Sequence, residues 1–176
     1  MQPSNRTRQI FAKLHVYASS VIQQGELIYA LGEPKPGQRQ LVILAPPASR
    51  LLEQFTGESS TSDVQTVLIG PLETHNATTL RGQLPWLNPI TLGLGTSAGF
   101  GDRLGIATPG HLQALKEAGG QIAPVPAQQS IREMARTGRS PQQVLDDAVW
   151  GIFAEGWRSG FAADADHLKS TEDIDR

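Results

Sequence analysis

The chain has 176 residues, a formal net charge of -2 and a pI near 6.1, with 39% hydrophobic and 18% charged residues. This is the composition of a globular chain that can bury a real core, and its slight acidity argues against a nucleic-acid partner. Because the chain has no cysteine, disulfides, thiolate metal sites and cysteine nucleophiles are excluded.

The first residues do not resemble a targeting segment. Met1 to Lys13 is polar and basic, without the apolar stretch of a signal peptide. No apolar run approaches the roughly 20 residues needed to span a bilayer. We therefore expect a cytoplasmic protein without a membrane partner.

The first half of the chain, residues 1–88, alternates short apolar runs with turn-rich stretches. Three apolar runs predict strands: Leu27–Leu31, Leu41–Ala45 and Val64–Gly70. Arg50–Phe55 predicts a short helix, and Gly57–Asp63 predicts a polar loop. This half is therefore expected to form a small α/β segment in which no chemistry is visible.

From residue 89 onward the pattern changes to strand–loop–helix units. Ile90–Leu94 and Ile122–Ala127 are apolar runs that predict strands, and Gly160–Ala163 leads into a third predicted strand that ends near His167. Three helix starts lie between them or beside them: Thr108-Pro109, Ser130 with Glu133, and Ser140-Pro141 with Gln143.

The predicted helices have distinct ends and faces. Thr108 is expected to act as a hydroxyl N-cap, and Gly119-Gly120 to end the same helix. In the helix that starts at Ser140, the apolar face is expected to consist of Leu145, Val149 and Ile152, with Ala148 and Phe153 alongside. Asp146 and Asp147 are then expected near its polar edge.

Strands that alternate with helices imply parallel pairing, because antiparallel hairpins need no helical crossover. Three such units in about 85 residues match the pace of a (β/α)8 TIM-type barrel, which needs roughly 250 residues. The predicted fold class is therefore α/β: a small α/β segment over residues 1–88, then about three βα units of a truncated barrel over residues 89–176. Unpaired strand edges in such a piece predict aggregation or a homo-oligomer.

The first candidate site is the glycine-rich loop Gly99–Gly105. A loop that follows a parallel strand lies at the carboxyl edge of the sheet, where sites form, and Asp102 beside Arg103 offers a base next to an anion binder. The alternative is a flexible turn with a solvated ion pair. Gly93–Ala98 resembles a dinucleotide fingerprint, but we reject it because no helix begins directly after it.

The second candidate site lies at the end of the third predicted strand. Asp164, Asp166 and His167 are residue types that bind a divalent cation. By the two-residue period of a strand, the two aspartates share one face while His167 starts on the other. A polar strand end that is salt-bridged to Lys169 is the alternative.

The third candidate is Gln128-Gln129, directly after the second predicted strand. Side-chain amides both donate and accept hydrogen bonds, which suits the hydroxyl groups of a sugar. Helix capping is the alternative, and the residues alone do not decide between the two.

Three motifs occur in this order along the chain: Gly99-Phe-Gly-Asp-Arg-Leu-Gly-Ile-Ala-Thr-Pro-Gly-His, Ala127-Gln-Gln-Ser-Ile-Arg-Glu and Ala163-Asp-Ala-Asp-His-Leu-Lys. Together they resemble the tagaturonate/fructuronate epimerase family. The resemblance covers about residues 90–176. It implies a metal-dependent isomerase of hexuronate metabolism on a (β/α)8-type barrel, which interconverts D-tagaturonate and D-fructuronate, with a small-molecule sugar acid as partner. Its further metal ligands and proton donor would lie on later strands, so the chain is expected to be an incomplete front part.

The resemblance also implies roles for particular residues. Asp102 resembles the catalytic proton acceptor, His167 with Asp166 the ligands of a divalent cation such as Mn, Co, Ni, Fe or Zn, and four further residues are candidates for substrate contact: Arg103, Gln128, Gln129 and Lys169. The two ketouronates differ at a carbon β to the carbonyl, so retro-aldol cleavage and re-closure is one route. Another metal-dependent sugar-acid aldolase or isomerase, or a non-catalytic remnant that only binds, are the alternatives.

Overall fold

The computed structural model describes residues 5–47, 49–119, 121–164 and 171–173. The chain divides into two compact units, Met1–Leu84 and Pro85–Arg176. Both units mix helices with strands. No helix in these described ranges is long and apolar enough to cross a membrane.

The N-terminal unit is built on an antiparallel sheet. Its helices are α1 (Asn5–Lys13) and α2 (Thr74–Gln83), with short 3-10 helices at Ala18–Ser20 and Leu51–Gln54. Its strands are β1 (Ile22–Gln24), β2 (Leu27–Lys35), β3 (Gln38–Ala45), β4 (Glu58–Thr61) and β5 (Thr66–Gly70). The strand order is β1-β2-β3-β5-β4, and each neighbouring pair is antiparallel.

The apolar runs of the first half form the centre of this sheet. The three predicted strands are confirmed as β2, β3 and β5, and the short helix predicted near Arg50 is confirmed as the 3-10 turn Leu51–Gln54. Leu14, Ala30 and Val42 form a buried cluster on which Ile10 and Phe11 pack. Full burial of a side chain as large as Leu or Val stabilises the fold by about 1.5–3 kcal/mol.

The polar loop predicted at Gly57–Asp63 is wrong, because Glu58–Thr61 forms strand β4. This strand lies at the edge of the sheet, where it pairs with β5 alone, and all four of its residues are exposed. Because neither face of this edge strand is buried, its sequence does not need to alternate apolar and polar residues, and a polar sequence of this kind predicts a loop.

The C-terminal unit is built on parallel pairing. Its strands are β6 (Ser97–Gly101) and β7 (Ala123–Gln128), and its helices are α3 (Thr108–Ala118), α4 (Ile131–Thr137) and α5 (Pro141–Glu155). Short 3-10 helices occur at Pro85–Leu87 and Thr171–Asp173. Strands β6 and β7 run parallel, and α3 connects them. A single parallel bridge joins Ala127 to Ala163, so a third segment begins to pair beside β7.

The first strand of this unit does not lie at the apolar run Ile90–Leu94, as the sequence predicted. That run is irregular, Leu94 is fully exposed, and the strand is instead Ser97–Gly101. Ser, Ala and Gly dominate β6, so its composition carries none of the β-branched signal by which strands are recognised. Beyond Ala163, the predicted third strand and its end at His167 lie outside the described residues.

The helix ends agree with the sequence in part. Gly119 ends α3 in the left-handed conformation, with φ of 65°, and Ser140 with Gln143 forms the expected capping box of α5. Ser130 caps α4 by accepting from the N–H of Glu133. The N-cap expected at Thr108 is wrong, because Ala107 occupies that position and Thr108 is a buried residue of the helix.

The expected position of Asp146 at a polar helix edge is also wrong. Its side chain is buried, with the residue only 4% exposed, on the same helix as the buried Val149 and Ile152. Helix α5 is buried over much of its circumference, including Trp150 and Gly151, so it does not present the wide polar face that the sequence suggested.

Candidate functional site

The sequence-predicted site residues that the structure describes lie at the carboxyl ends of the two parallel strands. Strand β6 ends at Gly101 and is followed by the loop Asp102–Ala107, which we call the acidic loop. Strand β7 ends at Gln128, with Gln129 directly after it, and Gly101 is paired with Gln128. In parallel α/β folds, this edge is where substrates bind.

Asp102 is a buried carboxylate, with the residue 9% exposed, and it organises the acidic loop. Its Oδ1 accepts hydrogen bonds from the N–H of Leu104 at 3.1 Å and of Gly105 at 2.8 Å, and its Oδ2 accepts from the N–H of Ala107 at 2.6 Å. A carboxylate in front of a helix start also interacts favourably with the helix dipole. Asp102 thus holds the loop up to Ala107, the N-cap residue of α3, while no side chain caps the helix itself.

The pKa of Asp102 reflects two opposing effects. Burial raises it, while the hydrogen bonds from loop N–H groups lower it, and the net pKa lies below the ordinary value of 3.8. Asp102 is therefore ionised at neutral pH. It can accept a proton, but its low pKa makes it a weak base unless the proton donor is itself made acidic.

Arg139 joins three parts of this edge through its guanidinium group. Its Nη1 donates to the carbonyl oxygen of Asp102 and to Oε1 of Gln129, both at 2.6 Å, and its Nη2 donates to Oδ2 of Asp147 at 2.5 Å. The side chain is 13% exposed. Arg139 therefore connects the acidic loop, the end of β7 and helix α5.

Asp147 is the acidic partner of Arg139. Burial raises its pKa, the hydrogen bond and charge of Arg139 lower it, and the neighbouring charges of Asp102 and Asp146 raise it, so the net shift is upward. Gly105 packs so closely above Asp147 that a Cβ at Gly105 would overlap its carboxylate. The acidic loop therefore needs glycine at this position.

A second charged cluster surrounds Glu133 on α4. Its Oε2 lies 2.9 Å from Nε of Arg103, and its Oε1 lies 3.0 Å from Nη1 of Arg136 and 3.7 Å from Nε of Arg132. The three arginine side chains are 64–75% exposed, while Glu133 is 11% exposed. One carboxylate does not neutralise three guanidinium groups, so the immediate surroundings of Glu133 carry an excess of positive charge. Over the whole edge, the carboxylates of Asp102, Asp147 and Asp164 offset this excess.

The two glutamines have different environments. Gln129 is buried; its amide donates to Oγ1 of Thr137 at 3.2 Å and its Oε1 accepts from Arg139. Gln128 is half-buried, and its Nε2 lies 3.5 Å from Oδ2 of Asp164. A Cβ at Gly99 would overlap the Gln128 side chain, so this glycine leaves room for it. Of the two amides, that of Gln128 is the better placed to meet a ligand.

The two predicted metal ligands, Asp166 and His167, are not among the residues that the structure describes. The same holds for Lys169, a predicted substrate contact. Within residues 5–47, 49–119, 121–164 and 171–173, no group of three or more His, Asp or Glu side chains is placed to hold a metal ion. The described side chains do not make a metal site by themselves, and a divalent cation stays a prediction.

Three features of this edge have no signal in the sequence: the contacts of Arg139, the ion pairs of Glu133 and the structural role of Asp147. Arg139 lies in the short link between α4 and α5, where a charged residue is ordinary. Its importance comes from contacts with residues 8, 10 and 37 positions away in the chain, which no local pattern reveals. Only the clustering of polar residues after each strand pointed to this edge.

Comparison with known proteins decides the family. The model of the tagaturonate epimerase family matches residues 17–176, which is most of the chain. The chain belongs to this family. The resemblance inferred from the three sequence motifs is thereby confirmed, and the family is one of enzymes.

Individual relatives with the same family name are also similar to this chain. The tagaturonate/fructuronate epimerase of Thermotoga maritima is 54% identical over 100 residues, which are 57% of this chain and 20% of the relative. The native crystal structure of the fructuronate-tagaturonate epimerase of Cohnella laeviribosi matches 98% of this chain and 34% of its own length, at 36% identity and a TM-score of 0.82. A glycerol complex of the same enzyme matches with 36% identity and a TM-score of 0.83 over 96% of this chain and 33% of its own. This chain thus spans a fifth to a third of these relatives.

Proposed function

We propose that this chain forms part of an enzyme that interconverts D-tagaturonate and D-fructuronate, the activity for which its relatives are named. The observation that supports the proposal most directly is the position of Asp102, Arg103 and Gln128. Asp102 and Arg103 directly follow β6, and Gln128 is the last residue of the neighbouring parallel strand β7, so all three lie at the edge where this class of fold binds substrates. The exposed guanidinium group of Arg103 at the same edge suits a substrate that carries a carboxylate.

The proposed reaction is retro-aldol cleavage followed by aldol closure. A base removes the proton from the hydroxyl on the carbon β to the carbonyl, the bond between the α and β carbons breaks, and its electron pair enters an enediolate. The aldehyde rotates and the bond forms again on its other face, which inverts the carbon, and the new alkoxide takes the proton back from the protonated base. The skeleton is restored and no external oxidant or reductant is consumed.

In this mechanism Asp102 is the proposed proton acceptor. Its ionised state at neutral pH fits the role, but its carboxylate already interacts with the loop N–H groups of Leu104, Gly105, Ile106 and Ala107. A substrate hydroxyl must therefore displace one of these donors or share an oxygen with it. Arg103 and Gln128 are the proposed substrate contacts within the described residues, the first for the carboxylate and the second for a hydroxyl. Gln129, already held by Arg139, and Lys169 are proposed contacts as well.

We also propose that the active enzyme requires a divalent cation and that Asp166 and His167 contribute ligands. The chemistry of the residue types supports this, since carboxylate and imidazole suit Mn, Co, Ni, Fe and Zn. The described residues supply no complete ligand set, so no step is assigned to the ion. In the same way, β6, β7 and the bridge at Ala163 are proposed as the first strands of a TIM-type barrel.

Activity measured by NMR tests the proposal. The 176-residue chain is compared with a chimera in which it replaces the matching segment of the Cohnella laeviribosi enzyme, each with added Mn²⁺, Co²⁺, Ni²⁺, Fe²⁺ or Zn²⁺. We expect interconversion of the two ketouronates by the chimera, and its loss in Asp102→Asn. A chimera that unfolds cooperatively yet turns over neither sugar with any metal would contradict the proposal. Exchange of a carbon-bound proton with solvent without cleavage would contradict the retro-aldol route.

A second candidate within the same class is an aldolase or isomerase acting on another sugar acid. The arginine excess around Glu133 favours an anionic substrate without specifying which one. A panel of ketouronates and aldonates assayed with the same chimera separates the two, because the epimerase prefers tagaturonate and fructuronate over the rest.

A further inference from the structure

Arg139 is a half-buried cation that neither the motifs nor the relatives' names assign to any role. Its guanidinium makes three hydrogen bonds, to a backbone carbonyl, a side-chain amide and a carboxylate, each 2.5 or 2.6 Å long. The three acceptors belong to three different elements. Few surface arginines are held this way, because a solvated ion pair contributes little to stability and leaves the side chain mobile.

The contact with Asp102 is the informative one. Arg139 binds the main-chain carbonyl of Asp102, while the Asp102 carboxylate remains bound to the N–H groups of Leu104, Gly105 and Ala107. Arg139 thus leaves the carboxylate oxygens of Asp102 untouched and fixes the backbone from which they project. Arg139 therefore fixes the position of the Asp102 carboxylate without pairing with its charge, as expected of a positioning residue.

The other two contacts set the frame for that position. Gln129 marks the end of β7, and Asp147 lies on α5, which packs against that strand. The planar fork of arginine binds these acceptors at fixed angles, which the point charge of lysine does not reproduce. Asp102 and the end of β7 are therefore held at one distance by a single side chain.

We propose that Arg139 is a positioning residue, which fixes the acidic loop Asp102–Ala107 against the ends of β7 and α5 and thereby places Asp102 for proton transfer. This inference rests on the proposed function for its catalytic consequence. Its structural part, that Arg139 orders the acidic loop, stands independently and is tested separately.

Amide hydrogen exchange in the 176-residue chain tests the structural part. The variants are Arg139→Lys and Arg139→Gln, with Arg132→Gln as the matched control, because Arg132 is an exposed arginine that contacts Glu133 alone among the described ion pairs. We expect the amides of Gly105 and Ala107 to exchange about tenfold faster in both Arg139 variants, the effect of losing one charge-assisted hydrogen bond. Amides within β7 should be unchanged in all three proteins. Unchanged exchange in the acidic loop, or an equal increase throughout the chain, would overturn the proposal.

Steady-state kinetics in the active chimera test the catalytic part. A positioning role predicts that kcat falls about 10- to 100-fold in Arg139→Lys while KM changes little, and that methylguanidinium partly restores the kcat of Arg139→Ala. A fall in activity that follows only the fraction of folded protein, without rescue, would overturn the positioning role. If no form interconverts the two sugars even with Arg139 present, the proposed function fails, and the exchange experiment still decides whether Arg139 orders the loop.

Discussion

Gly105 lies directly against the carboxylate of Asp147, so closely that a Cβ atom on Gly105 would fall within 3.0 Å of that side chain. The same glycine has φ of 72°, a left-handed conformation that residues with a side chain adopt at a cost. Its N–H donates to Asp102 and its Cα faces Asp147. Gly105 thus contacts two carboxylates, that of Asp102 within its own loop and that of Asp147 on α5.

Gly105→Ala is therefore expected to be more destabilising than a glycine substitution that is merely strained. Gly93→Ala is the matched control, because Gly93 has φ of 61° but no atom within 4 Å of a built Cβ. The control should lower the free energy of unfolding by about 1 kcal/mol, the cost of the left-handed conformation. Gly105→Ala should add a further 1–3 kcal/mol from overlap. Equal losses in urea denaturation would show that the loop moves freely away from Asp147.

Asp102→Asn is expected to change how stability depends on pH. The pKa of Asp102 in the folded chain is lowered from 3.8, so its contribution is fully present above the unfolded value and is lost as the pH falls through the folded value. The variant should be less stable at pH 7 by about 1–3 kcal/mol, the range for hydrogen bonds to a charged group. Its stability should also fall less steeply below about pH 4.

Asp147 also affects how the stability of the wild-type chain depends on pH. That pKa is raised in the folded state, so ionisation of Asp147 opposes stability as the pH rises through the unfolded value. The difference between wild type and Asp102→Asn cancels the part of this contribution that comes from burial and from Arg139, and keeps the smaller part that comes from the charge of Asp102. Asp63→Asn, at an exposed position, is the control, and urea titrations at a series of pH values provide the measurement. Parallel curves for wild type and Asp102→Asn would contradict the prediction.

Helices α3 and α5 contact each other through Gly151. A Cβ built there would lie 2.5 Å from Cβ of Thr108 and 3.2 Å from Cδ of Pro109. Glycine-to-alanine changes inside helices usually stabilise by about 1 kcal/mol. We expect the opposite for Gly151→Ala, a loss of about 1–3 kcal/mol, because the helices must separate or the side chains must shift.

The control for that prediction lies on the partner helix. Gly110 is in α3, and a Cβ built there meets no atom within 4 Å, so Gly110→Ala should stabilise the chain by up to about 1 kcal/mol. Thermal or urea unfolding of the two variants gives the comparison. Stabilisation by both alanines would mean that α3 and α5 adjust their spacing without cost.

Local sequence signals predicted the parts of the fold that depend on burial. Strands β2 and β3 each carry a continuous apolar run, and α5 carries a capping box, so all three were recognised. Strand β6 was misplaced because it consists mainly of small residues that leave room for neighbours such as Gln128. Strand β4 was missed because none of its residues is buried.

The sequence indicates where the candidate site residues lie in the fold, but not how they contact one another. Polar residues at the ends of β6 and β7 come to the same edge of the sheet, because parallel strands end together. The sequence did not show that the Asp102 carboxylate caps its own loop, or that Arg139 ties that loop to Gln129. Those contacts depend on the angle of the loop and on long-range packing, which local periodicity does not encode.

The side chain of Asp146 is buried, and only one of its two carboxylate oxygens accepts a hydrogen bond within the described residues. Its Oδ1 accepts from Nε2 of Gln142 at 2.8 Å, while its buried Oδ2 has no hydrogen-bond partner within the described part of the chain. A buried carboxylate oxygen without a partner costs free energy that a neutral group of the same shape avoids. Asp146→Asn keeps the shape and the acceptor for Gln142 but removes the charge.

We therefore expect Asp146→Asn to leave the free energy of unfolding of the 176-residue chain unchanged or to raise it by about 1 kcal/mol, in contrast to ordinary substitutions of buried residues. Asp146→Leu, which also removes the acceptor for Gln142, shows how much of the effect comes from that hydrogen bond. Urea denaturation at pH 7 measures both variants. A loss above about 2 kcal/mol in Asp146→Asn would mean that the carboxylate has a charged or donating partner, because removing one member of a buried pair is strongly destabilising. Such a partner would be a side chain that faces α5 or a bound water molecule.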